Sequence, residues 1–467
     1  MTDDVKTDAK PGEARCPGIS VQDILADDSR SVPDFLTEQS YEFLGDEDIP
    51  VERYISQEFF EREIRDMWPR VWQWACREEH IPEDGDYIVY DVGPYSVLIV
   101  RTGDGGIKAY RNACMHRGTM LKPPASEGSA DIIRCPYHGW QWNLDGQLET
   151  LPCQWDFPHV DKAAYALKPV RCEVWGGFVF VNLDENAEPL LDYLSPLPEH
   201  VSSDVFTNRY VAMHVQKELN CNWKIASEAF LEAYHVMETH PQLMRTNGDA
   251  NTQYDFYGDN INRLINVAGS PSAFLKEELT EQEILDSFLM GDSGDVGEKL
   301  TVPNGSSARK VMAQFFRDMS RQKGMRNLDQ ISDSEIVDSI AYFAFPNQQF
   351  FTGVAFPIVY RFRPLGMSKD KSIFDLVILK QRPTDGSKWE TAEPYRLKSE
   401  ESYTTVPGID PYIGNVYDQD TGNMEAAQLG CATLGRDGVT LANYQEIRIR
   451  HMHRTLMKYL DKPATRN

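Results

Sequence analysis

Apolar and polar positions alternate most regularly between residues 85 and 110. Tyr87-Ile88-Val89-Tyr90-Asp91-Val92 and Ser96-Val97-Leu98-Ile99-Val100 flank a Gly93-Pro94 turn, and Asp104-Gly105-Gly106 marks another. A period of two with turn residues between the runs predicts a small antiparallel β domain. Glu173-Val174-Trp175-Gly176-Gly177-Phe178-Val179-Phe180-Val181-Asn182 reads as the buried strand that closes it. Ahead of this domain, Phe59, Phe60, Ile64, Met67 and Trp68 recur at helical spacing within Gln57 to Trp72. Pro189, Pro196 and Pro198 then mark a link, after which the pattern changes. Residues 219–240 read as helix, 340–381 as long strands and 440–460 as an amphipathic helix. Within the strands, Ile358-Val359-Tyr360-Arg361-Phe362 and Ile373-Phe374-Asp375-Leu376-Val377-Ile378-Leu379 flank a polar turn.

This predicts an α+β protein with a small β domain over residues 51–185. A larger domain over 186–467 follows, an antiparallel sheet packed by helices. Residues 1–50 are polar and rich in Pro and Asp, and read as a flexible arm able to wrap a neighbouring subunit. Residues 276–335 are charged and helix-prone, and Lys310 to Arg326 alternates basic with apolar positions. A basic amphipathic helix suits a membrane surface; a lid or subunit contact over the active site is the reading preferred here.

Length and charge narrow the function. A chain of 467 residues suits two domains, and 41% hydrophobic content is enough for large cores. The 47 basic and 72 acidic residues leave a net charge of −25, which argues against nucleic acid or anionic membranes as partners. The polar, acidic start Met1-Thr2-Asp3-Asp4 is unlike a signal peptide, and no apolar run approaches the roughly 20 residues that span a bilayer. A cytoplasmic protein is expected. Cys16, Cys76, Cys153, Cys172, Cys221 and Cys431 show no spacing pattern and are expected as reduced thiols.

The remaining two cysteines carry chemistry. Cys114-Met115-His116 and Cys135-Pro136-Tyr137-His138 form C-x-H-x18-C-x2-H. Each loop offers one sulfur and one imidazole, whereas zinc pairings usually place two Cys together and two His together. One Cys and one His per loop suits a two-iron cluster with both thiolates on one iron and both imidazoles on the other. Structural zinc and plain core packing are the alternatives.

Arg111-Asn112-Ala113-Cys114-Met115-His116-Arg117-Gly118, then Cys135-Pro136-Tyr137-His138-Gly139-Trp140 and Leu144-Asp145-Gly146, resembles the Rieske domain of the Rieske non-haem iron aromatic-ring-hydroxylating oxygenases, in their catalytic α subunit. The resemblance covers about residues 55–460 and implies a catalytic domain of helix-grip type. Gly118 and Gly139 would let the loops turn, and backbone N–H groups with Trp140 would shield the sulfurs.

A second metal site is suggested at His235 and His240. On an ideal helix they would lie about 140° apart, so both reach one metal only if the helix ends or distorts, and Pro241 suggests an end. Non-haem iron(II) that activates dioxygen takes two His and one carboxylate on one face. By the family pattern, the carboxylate three residues before Asn423-Met424 would be the third ligand, which is Asp420, with Asp418 as the fallback. The resemblance also makes Glu232 an inter-subunit electron bridge, bonded to His235 and to His138 of the neighbouring chain. Many ring dioxygenases have Asp there and an Asn where this chain has Ala229; a Glu also resembles the monooxygenases of quaternary amines. Glu228 divides evenly between supporting the site and ordinary packing.

The implied activity is that of a terminal oxygenase with a [2Fe-2S] cluster, mononuclear Fe(II) and O2. Electrons would come from NAD(P)H through a separate reductase, with or without a ferredoxin, because the chain has no G-x-G-x-x-G unit. A homotrimer is expected, with or without a small β subunit. The substrate would be an aromatic or other hydrophobic small molecule, near Phe230, Leu231, Met237 and Met244. Demethylation or hydroxylation of a quaternary amine is the alternative, with aromatic residues near 254–257 and 342–351 as candidate contacts. A Rieske electron carrier without oxygenase chemistry is the rival from another class.

Overall fold

The alternation between residues 85 and 110 becomes a β meander. A computed structural model, which describes residues 9–291 and 300–462, places there β2 (Asp86–Val92), β3 (Tyr95–Arg101) and β4 (Ile107–Arg111), preceded by β1 (Gln73–Arg77) and followed by β5 (Glu127–Ser129). Three short strands, β6 (Ile133–Arg134), β7 (Gln141–Trp142) and β8 (Leu148–Thr150), form a separate small sheet. β9 (Pro169–Trp175) and β10 (Phe178–Asn182) return to the first sheet, whose order is β1-β10-β9-β4-β3-β2-β5. The run 173–182 is therefore a hairpin instead of one strand. Gly176 and Gly177 both take positive φ, which lets the chain reverse between them. Cys114 and Cys135 belong to the buried core of this unit, packed with Leu98, Tyr110, Ile133, Trp140 and Trp142.

The second unit is built on an eight-stranded sheet. Its strands are β11 (Arg209–Leu219), β12 (Gln253–Tyr257), β13 (Ile261–Asn266), β14 (Ser339–Ala344), β15 (Gln348–Phe351), β16 (Ile358–Pro364), β17 (Ser372–Gln381) and β18 (Pro394–Leu397). They lie in the order β12-β13-β14-β15-β16-β17-β11-β18, with the edge strand β18 parallel to β11. The helices are α1 (Trp223–Glu228), α2 (Val236–Thr239), α3 (Glu281–Gly291), α4 (Ala308–Gln322), α5 (Pro411–Cys431) and α6 (Ile447–Asp461). The fold is α+β, as expected. The sheet holds α5 against its face: Phe374 of β17 lies 6.2 Å, ring to ring, from Tyr417 of α5.

Three expectations change. The continuous helix over 219–240 is replaced by the end of β11, α1, an irregular segment and α2. The boundaries anticipated at 51 and 186 shift: the β unit runs Glu61–Tyr193, with Pro364–Met367 and residues 459–462 added. Residues 9–60 join the sheet unit with Leu194–Arg363 and Ser368–Lys458. The described part of the presumed arm is tied down by polar contacts that its composition did not advertise. Ser40 N donates to Asp255 Oδ1 at 2.9 Å, Gln22 bonds Gln253 at 2.8 Å, and Ser29 N donates to Asp333 at 2.7 Å.

The apolar positions between Lys310 and Arg326 are likewise internal, and so is Arg317. Met312, Ala313 and Phe316 of α4 are buried with Ile284, Leu285, Ile336 and Val337, so the described part of 276–335 has its own small core. Arg317 pairs with Asp333 at 2.9 Å and Lys310 with Asp27 at 2.9 Å. These pairs take up two of the cations, while Arg321, Lys323 and Arg326 stay exposed. Residues 1–8, 292–299 and 463–467 of the expected arm, insertion and larger domain lie outside the described residues. Among the described residues, no helix is long and apolar enough to cross a membrane.

Arg309 shows what the pairing is worth. Its guanidinium lies 2.5 Å from Asp338 and 3.1 Å from Asp28, both carboxylates being fully buried. Burial pushes Asp28 up to about 6 even with Arg309 beside it. Arg309→Met leaves two uncompensated carboxylates and is expected to cost about 3–5 kcal/mol, read by chemical denaturation against the unaltered chain.

Candidate metal centres

The two ligand loops of the β unit are built alike. Cys114 N donates to Thr119 O at 2.8 Å and Gly118 N to Cys114 O at 2.9 Å. In the second loop, Cys135 N donates to Trp140 O at 2.9 Å and Gly139 N to Cys135 O at 3.1 Å. Each glycine sits at φ near +75°, the left-handed region where a side chain would be strained. The repeated turn puts both sulfurs in the core and both imidazoles toward the tip. The His116 and His138 rings lie 4.8 Å apart.

Their surroundings fit a cluster. Backbone N–H groups of His116 and Arg117 point at the Cys114 sulfur, and burial together with the Cys135 sulfur pushes the Cys114 thiol up to about 11. A buried thiol pair of this kind gives up its protons readily only to a metal. His116 Nδ1 is buried with no hydrogen-bond partner, as a nitrogen that ligates a metal would be. The Trp140 ring, buried in the same core as both cysteines, stacks on His116 at 4.9 Å and 2°. His138 is exposed, beside an exposed Tyr137 whose ring lies 3.8 Å away.

In the sheet unit, the break between α1 and α2 shapes the second site. Asn222 caps α1, its side chain accepting from Lys224 N at 3.0 Å. The chain leaves helical geometry after Glu228, and the groups this frees are taken up by buried side chains. Tyr254 OH accepts from Ala233 N at 3.1 Å, and Arg448 Nη1 donates to Leu231 O at 3.2 Å. Glu232 then accepts from His235 twice, from its backbone N at 3.0 Å and its Nδ1 at 2.6 Å. Helix α2 ends at Thr239, and His240, held out of the helical region by Pro241, has φ −127° and ψ 58°.

These turns bring His235, His240 and Asp420 together, with one ligand atom from each lying within 4.8 Å of the others. Asp420 Oδ1 lies 2.8 Å from His240 Nε2 and 3.5 Å from His235 Nε2. Two imidazoles and a carboxylate on one side are the donor set of non-haem iron. Asp418 is elsewhere, because residues two apart on a helix project about 200° apart. It accepts from Tyr403 N at 2.9 Å and bonds Ser402. Gln419, which no sequence signal singled out, supports the remaining ring: His240 Nδ1 lies 2.9 Å from Gln419 Oε1. Only the structure shows α5, whose weakly amphipathic sequence hides it.

Glu228 touches none of the three. It accepts from His453 at 2.7 Å and from Tyr54 OH at 3.1 Å, tying α1 to α6 and the N-terminal segment. Phe230 joins an aromatic wall, with its ring 4.9 Å from Tyr360, 5.2 Å from Phe374 and 5.5 Å from Phe362. Tyr360 OH meets Tyr417 OH at 2.7 Å, and Phe351 lies 5.0 Å from Tyr360. The strand alternation at 358–362 already put Tyr360 and Phe362 on one face. The aromatics near 254–257 do not converge here: Tyr257 packs on His200 at 5.1 Å, and Tyr342 bonds the same histidine at 2.9 Å. Leu231 is fully buried, while Met237 and Met244 are partly exposed.

Residues 206–462 match the family described as ring hydroxylating alpha subunit (catalytic domain), and residues 71–161 match the Rieske [2Fe-2S] domain. The chain belongs to this α-subunit family. The family carries a Rieske cluster and a mononuclear iron. The glycine betaine monooxygenase oxygenase subunit of Pseudomonas aeruginosa is 30% identical over 230 residues, 49% of this chain and 52% of that one. The large oxygenase component of the naphthalene 1,2-dioxygenase system of Pseudomonas putida is 32% identical over 198 residues, 41% of this chain and 44% of that one. The chain thus spans about half the length of the curated relatives it matches. A solved quaternary ammonium Rieske monooxygenase shares the fold, with a TM-score of 0.62 at 20% identity over 88% of this chain and 95% of that one. A naphthalene 1,2-dioxygenase structure with bound phenanthrene gives 0.61 at 20% identity over 90% and 94%.

The electrostatics of the candidate site favour a proton on His235 at neutral pH. Burial opposes charge on His235, but the Glu232 and Asp420 carboxylates outweigh it and raise its pKa to about 9. An incoming cation must displace that proton. Apparent iron affinity of the metal-free protein should therefore rise about tenfold per pH unit from neutral pH toward 9 and level off above it, measured by iron titration.

Proposed function

We propose that this chain is the terminal oxygenase of a Rieske system, hydroxylating an aromatic or other hydrophobic small molecule with O2 and electrons from a separate NAD(P)H-dependent reductase. The observation that carries the reading is the convergence of His235, His240 and Asp420 from α2, its exit and α5. Cys114, His116, Cys135 and His138 would hold the cluster, and the convergent triad the iron. When bound, the cluster supplies one-electron transfer and the iron supplies dioxygen activation.

The protein's own groups do the positioning. Glu232 fixes His235 by one hydrogen bond to its backbone N and one to its ring Nδ1, and so keeps His235 Nε2 turned toward Asp420. A carboxylate has about four acceptor sites, so Glu232 has capacity for a further donor. That donor would be His138 of a neighbouring copy, which is exposed and so free to meet it. A head-to-tail contact of this kind closes into a ring, and a homotrimer is the proposed assembly, with or without a β subunit. A reductase, directly or through a ferredoxin, would deliver electrons to the cluster.

Phe230, with Tyr360, Phe362 and Phe374, would form the substrate wall. Such a wall suits a flat aromatic ring, and it equally suits a quaternary ammonium group through cation–π attraction. The glutamate at position 232 and the relatives that act on glycine betaine and carnitine favour that second reading. Oxygen uptake with a generic reductase, compared across aromatic acids, neutral aromatics and quaternary amines, separates the two. Uptake with none of these classes counts against both.

Asp420→Ala should lower iron from about three to about two per chain and leave the cluster spectrum intact. Three irons retained would count against Asp420 as a ligand, whereas two in the unaltered chain would point to a simple electron carrier. Glu232→Gln should keep all the iron yet slow substrate-triggered reoxidation of the reduced cluster at least about tenfold, followed by stopped-flow absorbance.

A further inference from the structure

The two histidines of the triad are supported by different chemistry. With Nε2 of each ring turned to the metal, each Nδ1 carries its hydrogen and needs an acceptor. His235 has the carboxylate of Glu232 at 2.6 Å, whereas His240 has the neutral carboxamide of Gln419 at 2.9 Å. The amide is itself oriented, because Gln242 Nε2 donates to the same Gln419 Oε1 at 2.8 Å. Gln242 lies in the turn that follows His240, and Gln419 precedes Asp420 on α5. The amide pair therefore ties together the two elements that bring the second imidazole and the carboxylate.

We propose that Gln419 is a positioning residue for the iron site, clamping His240 against α5 and keeping it a neutral ligand. The inference rests on the reading that His235, His240 and Asp420 hold iron. A carboxylate on each imidazole would make both rings stronger donors and favour the oxidised metal; one carboxylate and one amide leave the site less electron-rich. Packing does not explain Gln419. It is exposed, and with Gln242, Tyr412, Asn415 and Asp418 it lines an open groove of about 540 Å³. Its oxygen nonetheless accepts from both His240 and Gln242. The same exposure makes substitutions there tolerable to the fold.

The test uses the iron-loaded protein with Q419L, Q419E and, as a control, H240A. Q419L should lose iron to a chelator about ten to a hundred times faster than the parent, because the ring and the turn are released together. Q419E should retain iron but show a lower midpoint potential for the mononuclear site and an altered paramagnetic signal of its nitric oxide adduct. Both variants should melt with the parent. Iron loss at the parent's rate in Q419L, or an unshifted potential in Q419E, overturns the proposal. Parent-level iron in H240A would instead overturn the underlying assignment of the triad.

Discussion

The convergence of His235, His240 and Asp420 depends on a helix that stops. Had the segment from Asn222 to His240 continued as one α-helix, His235 and His240 would face directions about 140° apart and could not share a metal. The chain breaks after Glu228 and resumes at Val236, and the freed backbone groups are bonded by Tyr254 and Arg448, both fully buried. Glu232 completes the break by bonding both N–H groups of His235. A distorted backbone persists only where surrounding side chains over-determine it. Here those side chains come from β12 and α6, the latter more than 200 residues from the histidines it serves.

Much of the β unit was legible in the sequence because its signals are local. The C-x-H and C-x2-H pairs, the glycines after them and the strict alternation of Tyr87 to Val100 each specify structure within a few residues. The strands carrying Tyr360, Phe362 and Phe374 were legible for the same reason. What could not be read is non-local or faintly patterned. Helix α5 has weak amphipathicity, so nothing local marks Asp418 and Asp420 as projecting to opposite sides of it. Gln419 has no motif at all. The expected flexible arm misled because its polar residues find partners such as Asp255 and Asp333 more than 200 positions away.

Charge follows a similar logic. A surplus of acid is the plain compositional fact, yet the ionised groups of the sheet unit are organised in buried pairs: Arg309 with Asp28 and Asp338, Arg317 with Asp333, and Arg263 with Asp255. A run that looks like a basic surface helix can thus bury one of its cations, Arg317, while Arg321 and Lys323 stay exposed. The discriminating feature is acids elsewhere in the chain, which a window of residues cannot reveal.

The division of the chain has a bearing on how it folds during synthesis. The Cys- and His-bearing unit is close to one continuous stretch, Glu61–Tyr193, while the sheet unit takes residues from before and long after it. Domains fold as units as they leave the ribosome. The first can gather its core while the rest is still being made, whereas the other waits for α6, whose Arg448 and His453 complete it. A ribosome-bound intermediate should therefore present finished Cys–His loops well before His235, His240 and Asp420 are brought together.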